Sequence, residues 1–149
     1  MNIDVIEAQG RFEIATAHMM ASAYVETVDP ESAWVLDTLA EDLEAGETTA
    51  VLTMINGFPA TIGLIMPPAE DGTRTLRCGF THPECRDRGA WAANLDRRIS
   101  LCDQQAVATR LDAPADPRIL KALSRRGFVD TDGQGLTRTA TTPRRKVKA

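Results

Sequence analysis

Apolar and polar positions alternate from the outset. "IDVIEA" (Ile3–Ala8) changes face at every residue, the period of a half-buried strand. The period then lengthens. From Phe12 to Glu26, Ile14, His18, Ala21 and Val25 fall on one helical face. Asp29-Pro30 reads as a helix start, with Asp29 as the cap. Val35, Leu36, Leu39 and Leu43 point inward, and Gly46 stops the helix. "TAVLTMINGFPATIGLIM" is the sharpest local signal, because two β-rich runs flank Asn56-Gly57, a dipeptide suited to the positive φ angles of a tight hairpin. "PPAEDGT" is a turn and "RTLRCGF" a third strand of the same meander. Trp91, Leu95, Ile99, Cys102 and Ala106 then recur at helical spacing, and "ATRLDA" reads as a strand. Asp116-Pro117 opens a helix carrying Ile119, Leu120 and Leu123, which ends at Gly127, and "FVDTDGQGLTRTATT" reads as a last hairpin. This order predicts a mixed α/β sheet and differs from the strict βαβ alternation of a doubly wound fold.

Composition narrows the class without naming it. The chain has 149 residues, 43% hydrophobic and 26% charged, as expected of one globular domain. We read residues 1–142 as that domain and 143–149, "PRRKVKA", as a basic tail. No apolar run approaches the ~18 residues of a membrane span, and the acidic, alternating start is unlike a signal peptide. Cys78, Cys85 and Cys102 are odd in number and form no CxxC pair; with only two histidines, a metal site is not expected. Reduced thiols in a cytoplasmic protein are the expectation.

Charge is divided along the chain. From Phe12 to Thr73 there are eleven acids and no lysine or arginine, whereas from Arg74 onward sixteen basic residues face eight acids. The net charge of −4 conceals this division. An anion would suit the second half and a cation the first, although helix faces that merely differ in solvating charge would give the same division.

The candidate chemistry sits in "FTHPECRDRGAWAANL", where a strand gives way to a helix. A helix start exposes unbonded N–H groups at the positive end of its dipole, and a glycine there lets a phosphate approach the backbone closely. Arg86 and Arg88 add charge suited to a pyrophosphate.

This stretch, with "ILKALSRRGF" after it and the element order around it, resembles the GNAT-type N-acetyltransferase superfamily over about Ile3 to Thr142. In that family a strand ends in a V-x-P-x-x-R/Q-x-x-G-x-G/A turn, onto which Thr81, Pro83, Arg86 and Gly89 fall; the later "GF" falls on Gly127-Phe128. The resemblance implies an α/β (α+β) fold, a mixed and mostly antiparallel central sheet of about six or seven strands flanked by about four helices. It implies acetyl-coenzyme A as acyl donor, attacked directly by a primary amine on a small molecule or protein. The pyrophosphate would be held by N–H groups of Arg86, Asp87, Arg88, Gly89, Ala90, Trp91 and Ala92, and the pantetheine arm would pair strand-like with Gly79, Phe80 and Thr81. It is also compatible with a homodimer formed through the final strands.

Two positions depart from the family pattern. Trp91 occupies the last small position of the motif, and because it begins an apolar helical stripe we expect its indole to turn inward. Leu123 stands where many members carry the tyrosine that protonates the departing thiolate, and it cannot donate a proton. The only tyrosine, Tyr24, reads as a packing residue, His82 and Glu84 read as solvated turn residues, and the cysteines read as packed thiols, so no catalytic residue is assigned. The alternative reading is a GNAT-fold protein without acyl transfer, acting as a coenzyme A-binding, interaction or virion-type structural subunit. Nucleic-acid binding through the basic tail is a weaker third reading, because the overall charge is negative and no aromatic residue interleaves with the tail.

Overall fold

The structure, a computed structural model, describes residues 1–114, 116–131, 133 and 135–141. The tail 143–149 lies outside the described residues. Backbone contacts cluster into two compact units: Met1–Pro67 with Leu76–Arg98, and residues 68–75 with the chain from Ile99 onward.

The first unit is built on an antiparallel meander. β1 (Ile3–Glu7) pairs with β2 (Thr49–Ile55), β2 with β3 (Phe58–Ile65), and β3 with the later part of β4 (Arg74–Thr81). Asn56 (φ 50°) and Gly57 (φ 79°) make the turn between β2 and β3 in the left-handed conformation their types favour. Leu52 lies opposite Ile62 and Ala50 opposite Leu64, so these four side chains share one face. On that face they pack with Cys78 and Phe80 against Ile14, Ala17, Met20 and Ala21 of α1 (Arg11–Thr27). Leu39 and Leu43 of α2 (Leu39–Ala45) complete that core. The opposite face carries Thr53, Thr61 and Gly63, and the first two turns of α3 (Ala90–Gln104) lie over it.

One expected helix is in fact two. Pro30–Asp37 is a 3₁₀ helix and α2 follows it. The Asp29 carboxylate accepts from the Ser32 hydroxyl (2.5 Å) and does not cap a backbone amide, while Ser32 N–H donates to Asp29 O, an i→i+3 bond. Thr38 then leaves helical dihedrals (φ −125°, ψ 10°) and separates the segments. Gly46 (φ 76°) ends α2 in the left-handed conformation, as its position predicts.

In the second unit, β5 (Thr109–Leu111) runs parallel to the start of β4, with Arg74 opposite Thr109 and Thr75 opposite Arg110. β7 (Leu136–Arg138) is antiparallel to β5 and to β6 (Val129–Asp130), which gives the last hairpin. The seven strands are thus antiparallel at every pairing except β4 with β5, the mixed, mostly antiparallel sheet that the resemblance implies. α4 (Pro117–Arg125) starts on Asp116, whose carboxylate accepts from Arg118 N–H (2.9 Å). Gly127 (φ 91°) follows it, and Phe128 is buried at 2% exposure, so "GF" is a helix stop followed by a core residue. α3 ends at Gln104 and excludes Ala106, which the sequence spacing had included.

Candidate functional site

The candidate site lies in the first unit, along the end of β4 and into the start of α3. Opposite Gly63, β4 carries one residue more than β3: Ile62 pairs with Phe80, but Leu64 pairs with Arg77. Cys78 and Gly79 form this bulge, and Cys78 takes φ 56°, a conformation rare for a side chain of its type. Among the described residues, the pairing of β4 with β5 stops at Thr75, so Leu76–Thr81 pair with β3 alone. His82 N–H donates to Ala60 O (2.7 Å), and since a strand alternates its edges, the N–H and C=O of Thr81 and Gly79 face away from β3. Gly79 is exposed. Among the described residues these groups make no strand pairing on that side.

The chain continues through a 3₁₀ turn, Pro83–Cys85, tied down by Cys85, which packs with Ile55, Ala60 and Ala90. Arg86, Asp87, Arg88 and Gly89 are all exposed, with Asp87 (φ 62°) and Gly89 (φ 79°) both left-handed. Gly89 O accepts from Ala93 N–H (3.1 Å), the first bond of α3, so the amides of Ala90, Trp91 and Ala92 belong to the unbonded first turn. The space around a Cβ built on Gly89 is open. A phosphate could approach this backbone without displacing a side chain.

The ten residues singled out from the sequence thus share one continuous path, although their side chains differ in setting. Phe80 is buried towards α1, and Thr81 bonds through its hydroxyl to that of Thr61 (3.1 Å), so both have only backbone to offer. Ala90 is buried, whereas Trp91 and Ala92 are half-buried. The Trp91 indole lies towards the sheet, with Nε1 3.6 Å from where a Cβ on Gly79 would stand.

Other candidates fall into place around the path. Tyr24 is half-buried on the α1 side, its ring 6.2 Å from that of Phe80 and its hydroxyl 3.5 Å from an Asp29 carboxylate oxygen. His82 Nδ1 accepts from Glu84 N–H (3.2 Å) and its ring meets Phe58 edge-on, which makes it a turn residue. Burial pushes the Cys78 thiol up to about 11, so at neutral pH it is a protonated and poor nucleophile. Leu123 is buried in α4 at 2% exposure. Among the described residues no cluster of His, Cys, Asp and Glu could hold a metal ion, and no helix is long and apolar enough to cross a membrane.

Three residues near the path had no place in the sequence reading. Asn94 and Arg98 are buried on the sheet-facing side of α3, and Trp34, 54% exposed, holds the Arg77 guanidinium 5.2 Å from its ring centroid. Two glycines inside predicted strands, Gly63 and Gly79, were the available signal for the first pair.

No family model matches the sequence, and neither does any curated protein. Solved structures do match in fold. An acetyltransferase of the GNAT family from Staphylococcus aureus Mu50 superposes with a TM-score of 0.71 at 14% identity, over 94% of this chain and 100% of that one. An acyl-CoA N-acyltransferase from Pseudomonas aeruginosa gives 0.71 at 15% identity, over 93% and 100%. A predicted acetyltransferase from Clostridium acetobutylicum, crystallised with acetyl-CoA, gives 0.64 at 15%, over 88% and 92%. The chain has the GNAT fold.

Proposed function

We propose that this protein is an N-acetyltransferase that binds acetyl-coenzyme A along the open edge of β4 and the first turn of α3. The observation that carries this reading is the backbone of Gly79 and Thr81 turned away from β3, followed along the chain by the exposed Gly89 and the unbonded first-turn amides of Ala90–Ala92. The Gly79 and Thr81 amide and carbonyl groups would pair with the amide-bearing pantetheine arm. The amides from Arg86 to Ala92 would hold the pyrophosphate, with Arg86 and Arg88 exposed beside it to supply charge. One solved relative in fold was crystallised with acetyl-CoA, which supports the donor. The acceptor would be a primary amine. Its nitrogen bonds to the acetyl carbon, the carbon–sulfur bond breaks, and the proton lost by nitrogen ends on the thiolate. The exposed acids Glu41 and Glu44 of α2 would attract such a cation.

A second reading, binding of coenzyme A without transfer, is favoured by the burial of Leu123 where the family's proton donor would stand. Two measurements separate the readings. Calorimetry with acetyl-CoA should show binding, and a thiol-detecting assay with a panel of amines should show release of free coenzyme A. Binding without release on any amine would leave the second reading; absence of binding would remove both.

A further inference from the structure

Most helix–sheet interfaces are apolar, but the one between α3 and the first unit's sheet carries a buried polar cluster. Asn94, Thr53 and Thr61 are fully buried there and Arg98 is only 3% exposed. Asn94 Nδ2 donates to the carbonyl of Val51 (2.8 Å), and Asn94 Oδ1 accepts from Arg98 Nε (2.9 Å). The Arg98 guanidinium lies against Gly63, where an added Cβ would overlap both it and Asn94 Oδ1. It extends to Gly79, where a Cβ would stand 3.3 Å from Nη2. Gly63 is the β3 residue facing the bulge and Gly79 lies in the bulge, so the arginine spans the site of the irregularity.

We infer that Arg98 is a positioning residue: with Asn94 it clamps the β4 bulge to the first two turns of α3 and so fixes the spacing of the two backbone segments that hold coenzyme A. The inference rests on the coenzyme A reading and adds to it the residue that sets the geometry. Packing alone does not account for an arginine here, because replacing buried charged groups by apolar side chains of similar volume is often neutral or stabilising. What the guanidinium adds is a rigid, planar fork with donors in fixed directions. The bulge needs such support, since Cys78 holds a left-handed φ that only a constraining environment maintains. The two glycines give the room. Without a Cβ at either position, the fork can lie on the sheet itself.

The test compares Arg98→Met, which keeps the length and apolar stem, with Arg98→Lys, which keeps the charge without the fork. Hydrogen exchange is measured on ligand-free protein, and coenzyme A affinity by calorimetry. In Arg98→Met, the bonded amides at the two segments, His82 (to Ala60 O) and Ala93 (to Gly89 O), should exchange together about tenfold faster, with Ile3–Glu7 unchanged. Affinity should fall about tenfold, the worth of one or two lost backbone hydrogen bonds. Arg98→Lys should not restore either quantity, since charge without planarity is insufficient. Should Arg98→Met fail to melt cooperatively, Arg98→Lys, which also lacks the planar fork, carries the test with the same expectations. Unchanged exchange at both segments, or affinity within twofold of wild type, overturns the clamp. If the wild type itself does not bind coenzyme A, the functional reading fails, and the exchange experiment still decides whether the clamp exists.

Discussion

Substituting Gly63 by alanine tests the buried arginine without touching it. The new Cβ would overlap the Arg98 guanidinium and Asn94 Oδ1, so the guanidinium must move. Overpacking of this kind costs about 1–3 kcal/mol. Moving the guanidinium also breaks its bond from Nε to Asn94 Oδ1, a charge-assisted interaction of about 1.5–3 kcal/mol. Against these, alanine in a strand is intrinsically better than glycine by about 0.5–1 kcal/mol. The net expectation is a loss of about 3 kcal/mol, or a fall in melting temperature of about 6–12 °C for a chain of this size. Urea unfolding followed by circular dichroism measures it. The decisive comparison is the same substitution in an Arg98→Ala background, where the guanidinium is gone and only Asn94 Oδ1 must still shift, so alanine at 63 should cost about 1 kcal/mol or less. The coupling energy of that cycle should be about 2 kcal/mol. If the two substitutions add independently, the arginine does not lie where the argument requires.

Three further outcomes are expected. Gly89→Ala places a Cβ at φ 79° in the open space before α3; it should cost about 1–2 kcal/mol of stability by denaturant melt. The same variant should weaken coenzyme A binding about tenfold by calorimetry, and unaltered affinity would argue against phosphate at this backbone. The hydrogen bond from Arg138 holds the Asp103 carboxyl below the usual carboxylate range, assisted by the amide of Thr141. Because the folded state favours the ionised form, this stabilisation is present above about pH 4 and is lost as the pH falls through the depressed folded-state value. Asp103→Asn should therefore cost about 1–2 kcal/mol at pH 7, a deficit that shrinks in acid melts below about pH 4. A constant deficit across pH would refute it. Asp116→Ala removes the carboxylate that accepts from Arg118 N–H and should destabilise by about 1 kcal/mol by the same denaturant measurement.

What the sequence made legible is what local chemistry decides. Asn56-Gly57 can hold the positive φ angles of a hairpin, Gly46 and Gly127 can end helices, and Asp116 can accept a first-turn amide; each does so. The strand-to-helix turn could be read for the same reason, since Pro83 and Gly89 mark it. The break at Thr38 was hidden because Val35, Leu36, Leu39 and Leu43 keep a helical spacing across it. The bulge at Cys78 was hidden because a register shift depends on the partner strand. Asn94 and Arg98 were the largest gap. A polar residue on a helix is ordinarily read as facing water, and only the glycine across the interface reveals otherwise. Gly63 and Gly79, inside strands with no turn to make, were the trace they left.

The central claim is that the β4 edge and the α3 start together form the coenzyme A surface, and an amide-resolved NMR titration of the full chain with acetyl-CoA tests it most directly. The account predicts saturable shifts concentrated at Gly79–Thr81 and Arg86–Ala92, with the meander strands β1 and β2 nearly unmoved. Shifts confined to other residues, or none at millimolar ligand, would contradict it.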